Sequence, residues 1–474
     1  MPVPSTRSRR FLAAVLPVIT ITLTAGLGLL MAPATAASAD ICETCHGGPP
    51  PPPPPPPKNL AEFTFTLQQL QADSNGAVEE PVDYAVQDES SVSPVTLDAC
   101  GSTAVSGIQG YAWSFSDGTP PISTSDCEFT WYRPLSATYH DVDVTLSIVP
   151  KSGSSFSVTH AQQYRDLVIA SLGDSAASGE GAAENQTSPA FDASENCDRS
   201  GWAASAQAAL RVQQSMPDTT VHFWHLACSG ATISGGGGGL LNASTGTRGE
   251  QSLQPQVTRL GELMSETKLP VSRLLITAGA NDTGWANVME TCLIQSVIAG
   301  VTDPLAFYIV QDNCINGYAG QVTAAVAALP FHFDLLAYAL AQLMVAYPGQ
   351  LTPFDIYLTQ YFDPVDSLSA QPLVCVGEPL AGEDMRNWAV SAILNPLQAD
   401  VRSATALYGW NFIGGIQQAF QGHGVCQAAA NRWINSVFDS LAEQGDFNGS
   451  WHANRTGQLQ MASIIYNAIS PNLG

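Results

Sequence analysis

The chain has 474 residues, 45% of them hydrophobic, enough for more than one packed core and too many for a disordered chain. Its 17 Lys and Arg stand against 41 Asp and Glu, a formal net charge of −24. That sign argues against nucleic acid or an anionic membrane surface as a partner, because both are gripped through clustered cations.

The N-terminus carries Arg7, Arg9 and Arg10, an uncharged run from Phe11 to Met31, and the small-x-small sequence Ala37-Ser38-Ala39. This reads as a secretory signal peptide over residues 1–39, which makes the protein secreted, with cell-envelope association as a variant. The run is long enough to span a bilayer, so an uncleaved anchor is the alternative. No stable span is expected after cleavage. Val322 to Tyr347 is apolar, but Pro330, His332 and Asp334 interrupt it, and a buried globular helix is expected there.

Residues 40–58 form a Cys- and Pro-rich linker. Cys42-Glu43-Thr44-Cys45-His46 precedes nine prolines, Pro49 to Pro57, expected to be a stiff polyproline II spacer. C-x-x-C-H is also the spacing of a c-type haem attachment site. The polar and proline residues around it offer no apolar haem pocket, so a local disulfide or an exposed thiol pair is the better reading. The ten cysteines are an even count in an exported chain, where thiols oxidise, and sequential pairing suits each segment without being fixed by sequence.

Residues 59–160 alternate as strands do: Phe63 to Leu67, Tyr111 to Phe115 and Val142 to Ile148, with turns such as Asp117-Gly118 between them. An all-β antiparallel sandwich is expected. Tyr111-Ala112-Trp113-Ser114-Phe115-Ser116-Asp117-Gly118, followed by Tyr139 and Val142 to Ile148, resembles a PKD-type sandwich, a module that usually spaces or binds; a polymer is its expected partner. Cys100 and Cys127 would staple it.

Residues 161–474 change to apolar strand-like runs separated by helical stretches, the pattern of an α/β domain with a parallel sheet covered on both faces. Expected strands are Leu167 to Leu172, Val221 to Leu226, Leu274 to Thr277, Ile356 to Thr359 and Leu407 to Ile413. Ligands bind at the carboxyl ends of such strands. The first end is Gly173-Asp174-Ser175: the glycine allows a sharp turn, and Ser175 would open a helix with its hydroxyl exposed and its N–H free. By itself the tripeptide is a turn with a solvated serine. The second end, Ala227-Cys228-Ser229-Gly230-Ala231, offers the Gly230 N–H to a developing oxyanion, or is an ordinary loop glycine. The third, Ala278-Gly279-Ala280-Asn281-Asp282, can aim the Asn281 amide into the same crevice, or forms an Asx turn. Near the C-terminus, Ser450-Trp451-His452-Ala453-Asn454 precedes an apolar helix. Serine needs an adjacent base, and His452 is the candidate, with helix capping as its plainer role.

Together these four blocks, with Ser178-Gly179-Glu180-Gly181, Cys197-Asp198-Arg199-Ser200 and Gly422-His423-Gly424-Val425-Cys426, resemble secreted lipases and esterases of the GDSL/SGNH hydrolase family across residues 165 to 470. The resemblance implies a three-layer α/β/α fold with a flavodoxin-like sheet, and carboxylic ester hydrolysis by Ser175 and His452. It implies an oxyanion hole from Ser175, Gly230 and Asn281, and disulfides Cys197–Cys228, Cys292–Cys314 and Cys375–Cys426. Many members carry an aspartate three residues before the histidine, where this chain has Gly449. A backbone carbonyl at Gly449, or Asp446, is left to orient His452, so a Ser-His dyad is expected rather than a full triad. No cofactor or metal is expected: no cluster has zinc-ligand spacing, and Gly235 to Gly239 lacks the rest of a phosphate loop. The substrate is a small-molecule, lipid or glycan ester. The alternatives are a polysaccharide O-acetyl esterase and, in another class, a non-catalytic wall or glycan binder.

Overall fold

The computed structural model describes residues 58–78, 92–182, 197–233, 255–288, 304–366 and 383–473, with residues 244–245, 252–253 and 292. Its contacts divide the chain into 1–56 and 57–474, and every described residue belongs to the second unit. The signal-peptide, Cys42, Cys45 and nearly all of the proline-spacer expectations lie outside the described residues.

The strands are β1 (Thr64–Leu67), β2 (Val92–Asp98), β3 (Ile108–Phe115), β4 (Ile122–Thr124), β5 (Glu128–Pro134), β6 (His140–Pro150), β7 (Phe156–Gly173), β8 (Thr219–His225), β9 (Ser244–Thr245), β10 (Ser252–Leu253), β11 (Val271–Thr277), β12 (Ile356–Thr359) and β13 (Asn411–Ile413). β1, β2 and β5 form an antiparallel sheet. Its inward residues Leu67, Leu97 and Trp131 pack with Trp113, Val144 and Leu146 of β3 and β6, closing a sandwich. The alternation read from the sequence over Val142 to Ile148 is visible in β6, where Val142, Val144, Leu146 and Ile148 are buried and the residues between them are not. Cys100 and Cys127 are bonded.

The second sheet runs β4-β3-β6-β7-β11-β12-β13, and β8 also pairs with β7. Its hinge is the 18-residue β7. Phe156 to Tyr164 pairs antiparallel with β6, whereas Arg165 to Gly173 pairs parallel with β8 and β11. One strand therefore belongs to both the sandwich and the α/β region, and the expected boundary at residue 160 falls inside it. Arg133 of β5 fastens the two: its guanidinium bonds Asp166 of β7 at 2.6 and 3.0 Å and Thr220 of β8 at 3.1 Å, and lies over the Tyr164 ring.

The parallel strands lie in the order β8-β7-β11-β12-β13, with helices on both faces. Leu167, Ile169, Val221 and Phe223 pack on one side with α2 (Ala204–Ser215) and the C-terminal helix Arg455–Ile469. Val168, Ala170, Leu172 and Leu274 pack on the other with α3 (Gln256–Thr267), the long helix Pro304–Ala346 and the helix Asn395–Tyr408.

Two expectations change. The last strand is Asn411–Ile413 only; Leu407 lies at the end of the preceding helix and is exposed, because Gly409 in the left-handed region ends that helix first. The segment from Val322 to Tyr347 is not a buried helix. It lies on the surface, burying a stripe of Val322, Leu329, Phe333, Leu336 and Leu340 while Phe331, Tyr338 and Val345 face solvent. Asn313–Ala346 has the length and composition of a membrane span, yet its buried stripe is part of the core.

Cys197–Cys228 and Cys292–Cys314 are bonded. Cys426 is disulfide-bonded, and its expected partner, Cys375, lies outside the described residues. Disulfides in this number fit an oxidising, extracellular compartment.

Candidate active site

The site is assembled at the carboxyl edge of the parallel strands. β7 ends at Gly173, whose φ of +143° and position against the Thr277 carbonyl leave no room for a side chain: a Cβ would stand 2.0 Å from that oxygen. The tight turn is held by buried Gln256, which accepts from the Gly173 N–H at 2.8 Å and donates to the Gly173 carbonyl at 2.9 Å. A one-turn helix, α1 (Ser175–Ser178), comes immediately after it. Asp174 caps it, accepting from the Ala176 N–H at 3.0 Å. Ser175 is thereby the first helical residue.

His452 arrives from the opposite end of the chain on a loop pinned to residues 433–435. The Trp451 N–H donates to the Asn435 carbonyl, the Asn435 N–H to the His452 carbonyl and the Asn454 N–H to the Trp433 carbonyl. Trp451 sits at φ +65°, a strained conformation for an aromatic residue, and this places the next side chain toward Ser175. The His452 Nε2 lies 2.7 Å from the Ser175 Oγ. Burial pushes the imidazole down to about 4, with the Ser450 and Asn448 backbone pulling the other way, so the ring is neutral at ordinary pH and able to accept a proton.

The Nδ1 side differs from both alternatives read from the sequence. The Ser450 carbonyl faces Nδ1 at 3.2 Å, while the Gly449 carbonyl accepts from the His452 main-chain N–H. Asp446 accepts from Gln444 and Asn448. The carbonyl that faces Nδ1 is thus one residue later than Gly449.

Asn281 lines the same pocket as Ser175 and His452. Its Nδ2 donates to the Ala231 carbonyl at 2.9 Å, which uses one of two amide hydrogens. Gly230, at φ +76°, turns the chain after β8 but is not among the pocket's lining residues. The Cys228 N–H bonds the Gly173 carbonyl, fixing the second strand end to the first.

Several residues of the site carry no distinctive local motif. Tyr361, two residues beyond β12, donates to Asp174 Oδ2 at 2.5 Å and accepts from the Ala280 N–H at 3.2 Å, joining the serine turn to the asparagine turn. Burial pushes the Asp174 carboxyl up to about 7, against the bonds from Tyr361 and Ala176. Glu180 is buried and accepts from Ser229 and Gln444; burial raises its carboxyl, and nearby Asp446 adds to the rise. Gly181, at φ +86°, lies directly under the histidine: a Cβ there would be 2.8 Å from the His452 Cβ. For Tyr361 a positional signal exists in the sequence: Gln360-Tyr361 stands just beyond β12, as the serine, glycine and asparagine turns stand beyond β7, β8 and β11.

No group of three or more His, Cys, Asp or Glu among the described residues is arranged to hold a metal ion. No protein-family model matches the sequence, and no curated protein matches it. Among solved structures, a lipase from a goat rumen metagenome is 13% identical, with 64% of this chain and 97% of that chain covered at a TM-score of 0.32. A carbohydrate esterase whose active site "displays divergent catalytic and non-catalytic binding functions" is 10% identical, covering 87% and 98% at 0.30. A sialyltransferase of Photobacterium sp. JT-ISH-224 is 9% identical at 0.21, covering 73% and 56%. Superpositions this loose assign neither fold nor function.

Proposed function

We propose that the protein is a secreted serine carboxylester hydrolase of the SGNH type. The observation that carries the reading is the 2.7 Å contact between Ser175 Oγ and a half-buried, neutral His452 at the carboxyl edge of a parallel sheet. The strand order β8-β7-β11-β12-β13, flavodoxin-like in kind, supports the same reading, as do helices on both faces.

His452 Nε2 takes the Ser175 hydroxyl proton as Oγ bonds to the ester carbonyl carbon. The resulting oxyanion is met by the Ser175 N–H at the start of α1 and the second amide hydrogen of Asn281, with the Gly230 N–H a third candidate donor. The imidazolium returns its proton to the departing alkoxide, breaking the C–O bond. Water then enters by the same route in reverse and releases the acid. The Ser450 carbonyl fixes the His452 tautomer, Nδ1–H donating, but stabilises the imidazolium less than a carboxylate does.

The test is hydrolysis of p-nitrophenyl butyrate by the purified protein, together with mass spectrometry after treatment with diethyl p-nitrophenyl phosphate. Ser175→Ala is expected to lower kcat by about 10³-fold or more, in line with loss of a nucleophile, and the phosphoryl mass should map to Ser175. Turnover that survives Ser175→Ala, or labelling elsewhere, overturns the assignment.

A further inference from the structure

Glu180 is a buried carboxyl that the proposed reaction does not use. Withdrawing a carboxyl from water is costly unless its oxygens meet donors. Both do: Oε2 accepts from Ser229 Oγ at 2.5 Å and Oε1 from Gln444 Nε2 at 2.7 Å. Its main-chain N–H donates to the Ser175 carbonyl at 3.1 Å. One residue therefore reaches the helical turn of the nucleophile, the loop after β8 and the segment that leads to His452.

The last of these contacts continues to the histidine. Gln444 uses both ends of its amide: Nε2 donates to Glu180 and, at 2.9 Å, to Asp446, while Oε1 accepts from the Gly181 N–H at 3.2 Å. The Gly181 carbonyl accepts from Asn435 Nδ2 at 2.6 Å, and the main chain of Asn435 is bonded to Trp451 and His452. Gly181 is thus gripped from both sides directly beneath the His452 Cβ. Gly449 shows how closely the parts fit. A Cβ there would stand 2.4 Å from Gln444 Oε1 and 3.0 Å from the Gly181 Cα, so these two residues fill the space that an aspartate three residues before the histidine would need.

We infer that Glu180 is a positioning residue for the hydrolase reaction, acting through Gln444 on the loop that carries His452. The inference rests on the reading of Ser175 and His452 as nucleophile and base. Nδ1 faces the Ser450 carbonyl at 3.2 Å, a long and uncharged contact, so the place of the ring opposite Ser175 Oγ depends on where its loop stands. Glu180 sets that from within the core: it holds Gln444, and Gln444 holds Gly181 and the turn at Asp446. The effect is on the geometry of the reacting pair and falls on kcat.

The experiment measures kcat and KM for p-nitrophenyl butyrate on the full chain in Glu180→Met, Glu180→Gln, Gln444→Ala and the double variant Glu180→Met/Gln444→Ala, each corrected for its folded fraction. Methionine keeps the bulk of Glu180 and removes its acceptors. Glu180→Met and Gln444→Ala are each expected to lower kcat by about tenfold or more, as a displacement of somewhat under 1 Å would, with KM changed by less than about twofold. The double variant should be no slower than the slower single one, because both changes break the same link. Glu180→Gln keeps an oxygen for Gln444 and should recover most of the loss. Gln444 is half-buried, so its variant carries the test if Glu180→Met does not fold. A kcat per folded molecule that stays at the parent value in Gln444→Ala or in a folded Glu180→Met overturns the positioning role while leaving Ser175 and His452 in place. So do losses that multiply in the double variant, or a Glu180→Gln no faster than Glu180→Met. Absence of both turnover and Ser175 labelling in the parent protein overturns the hydrolase reading, and this inference with it.

Discussion

The two halves of β7 share one backbone and meet opposite surroundings. From Phe156 to Gln163 no residue is fully buried, Phe156, Val158 and Gln162 being half-buried and the others exposed; from Tyr164 to Gly173 every residue is buried. The first half is an outer strand of a sandwich, with one face on the core and one in water. The second is the centre of a sheet with helices on both sides, where each residue of either parity meets apolar neighbours. The same contrast separates the regions in function. The sandwich spends its large side chains, Trp113, Trp131 and Phe115, on its own core, whereas the α/β region leaves polar residues at its strand ends and gathers them around Ser175.

The largest expected effect tests whether the two regions are one body. Arg133→Ala removes the guanidinium from Asp166, which keeps His222 Nε2 at 2.8 Å but remains fully buried. Breaking a buried pair from one side costs about 3–5 kcal/mol, and the retained His222 contact places the loss near the lower figure. Urea unfolding monitored by tryptophan fluorescence and by esterase activity should shift together. If activity persists while the sandwich unfolds alone, β7 does not couple the regions.

A second substitution acts on the α/β side only. Gly181→Ala puts a methyl group 2.8 Å from the His452 Cβ, 2.9 Å from the Asn435 Nδ2 and 3.2 Å from the Gly449 carbonyl. The histidine loop must retreat, and a displacement of about 1 Å in a reacting group is enough to cost about 10²-fold in rate. The strain of a left-handed alanine adds about 1 kcal/mol to the stability loss. A fall in kcat/KM that merely matches the fall in folded fraction would show that Gly181 is a turn glycine and no support for His452.

The contrast within β7 also explains what the sequence made legible. Val168, Ile169, Ala170, Ser171 and Leu172 form a run without alternation, while Val142 to Ile148 alternates cleanly, so the change from sandwich to α/β was visible from local pattern alone. Ser175 and His452 were visible because each stands directly after a strand or before a helix in a marked context. Gln256, Gln444 and Asn435 were not, and Tyr361 was marked only by its place just beyond β12. Each is a single polar residue whose role depends on a partner at least 80 residues away in the chain, and no local spacing records such a meeting. The surface position of Val322 to Tyr347 was hidden for a different reason: composition reports how apolar a helix is, not how much of it the fold can cover.

The smallest expected effect separates the chemistry of His452 from the stability of the region around it. Burial pushes His225 down to about 3 and His452 to about 4, so the unfolded chain takes up protons near pH 6.5 that the folded chain refuses. Stability from both is complete above 6.5 and declines as pH falls through that window; for His225 alone the loss from pH 6.5 to 5 is about 2 kcal/mol. Asp174 acts in the opposite sense. Its carboxyl, raised to about 7, favours folding when protonated, and that contribution is lost as pH rises from the unfolded value toward 7. The opposing slopes mask each other in the intact protein, and the comparison that isolates one group is between variants. In His225→Gln the drop in Tm between pH 6.5 and 5 should shrink by an amount equivalent to about 2 kcal/mol, while kcat/KM per folded molecule stays level down to pH 5, since His452 protonates only near 4. A kcat/KM that instead halves near pH 6.5 in this variant would show that the histidine at Ser175 is not held below its ordinary value.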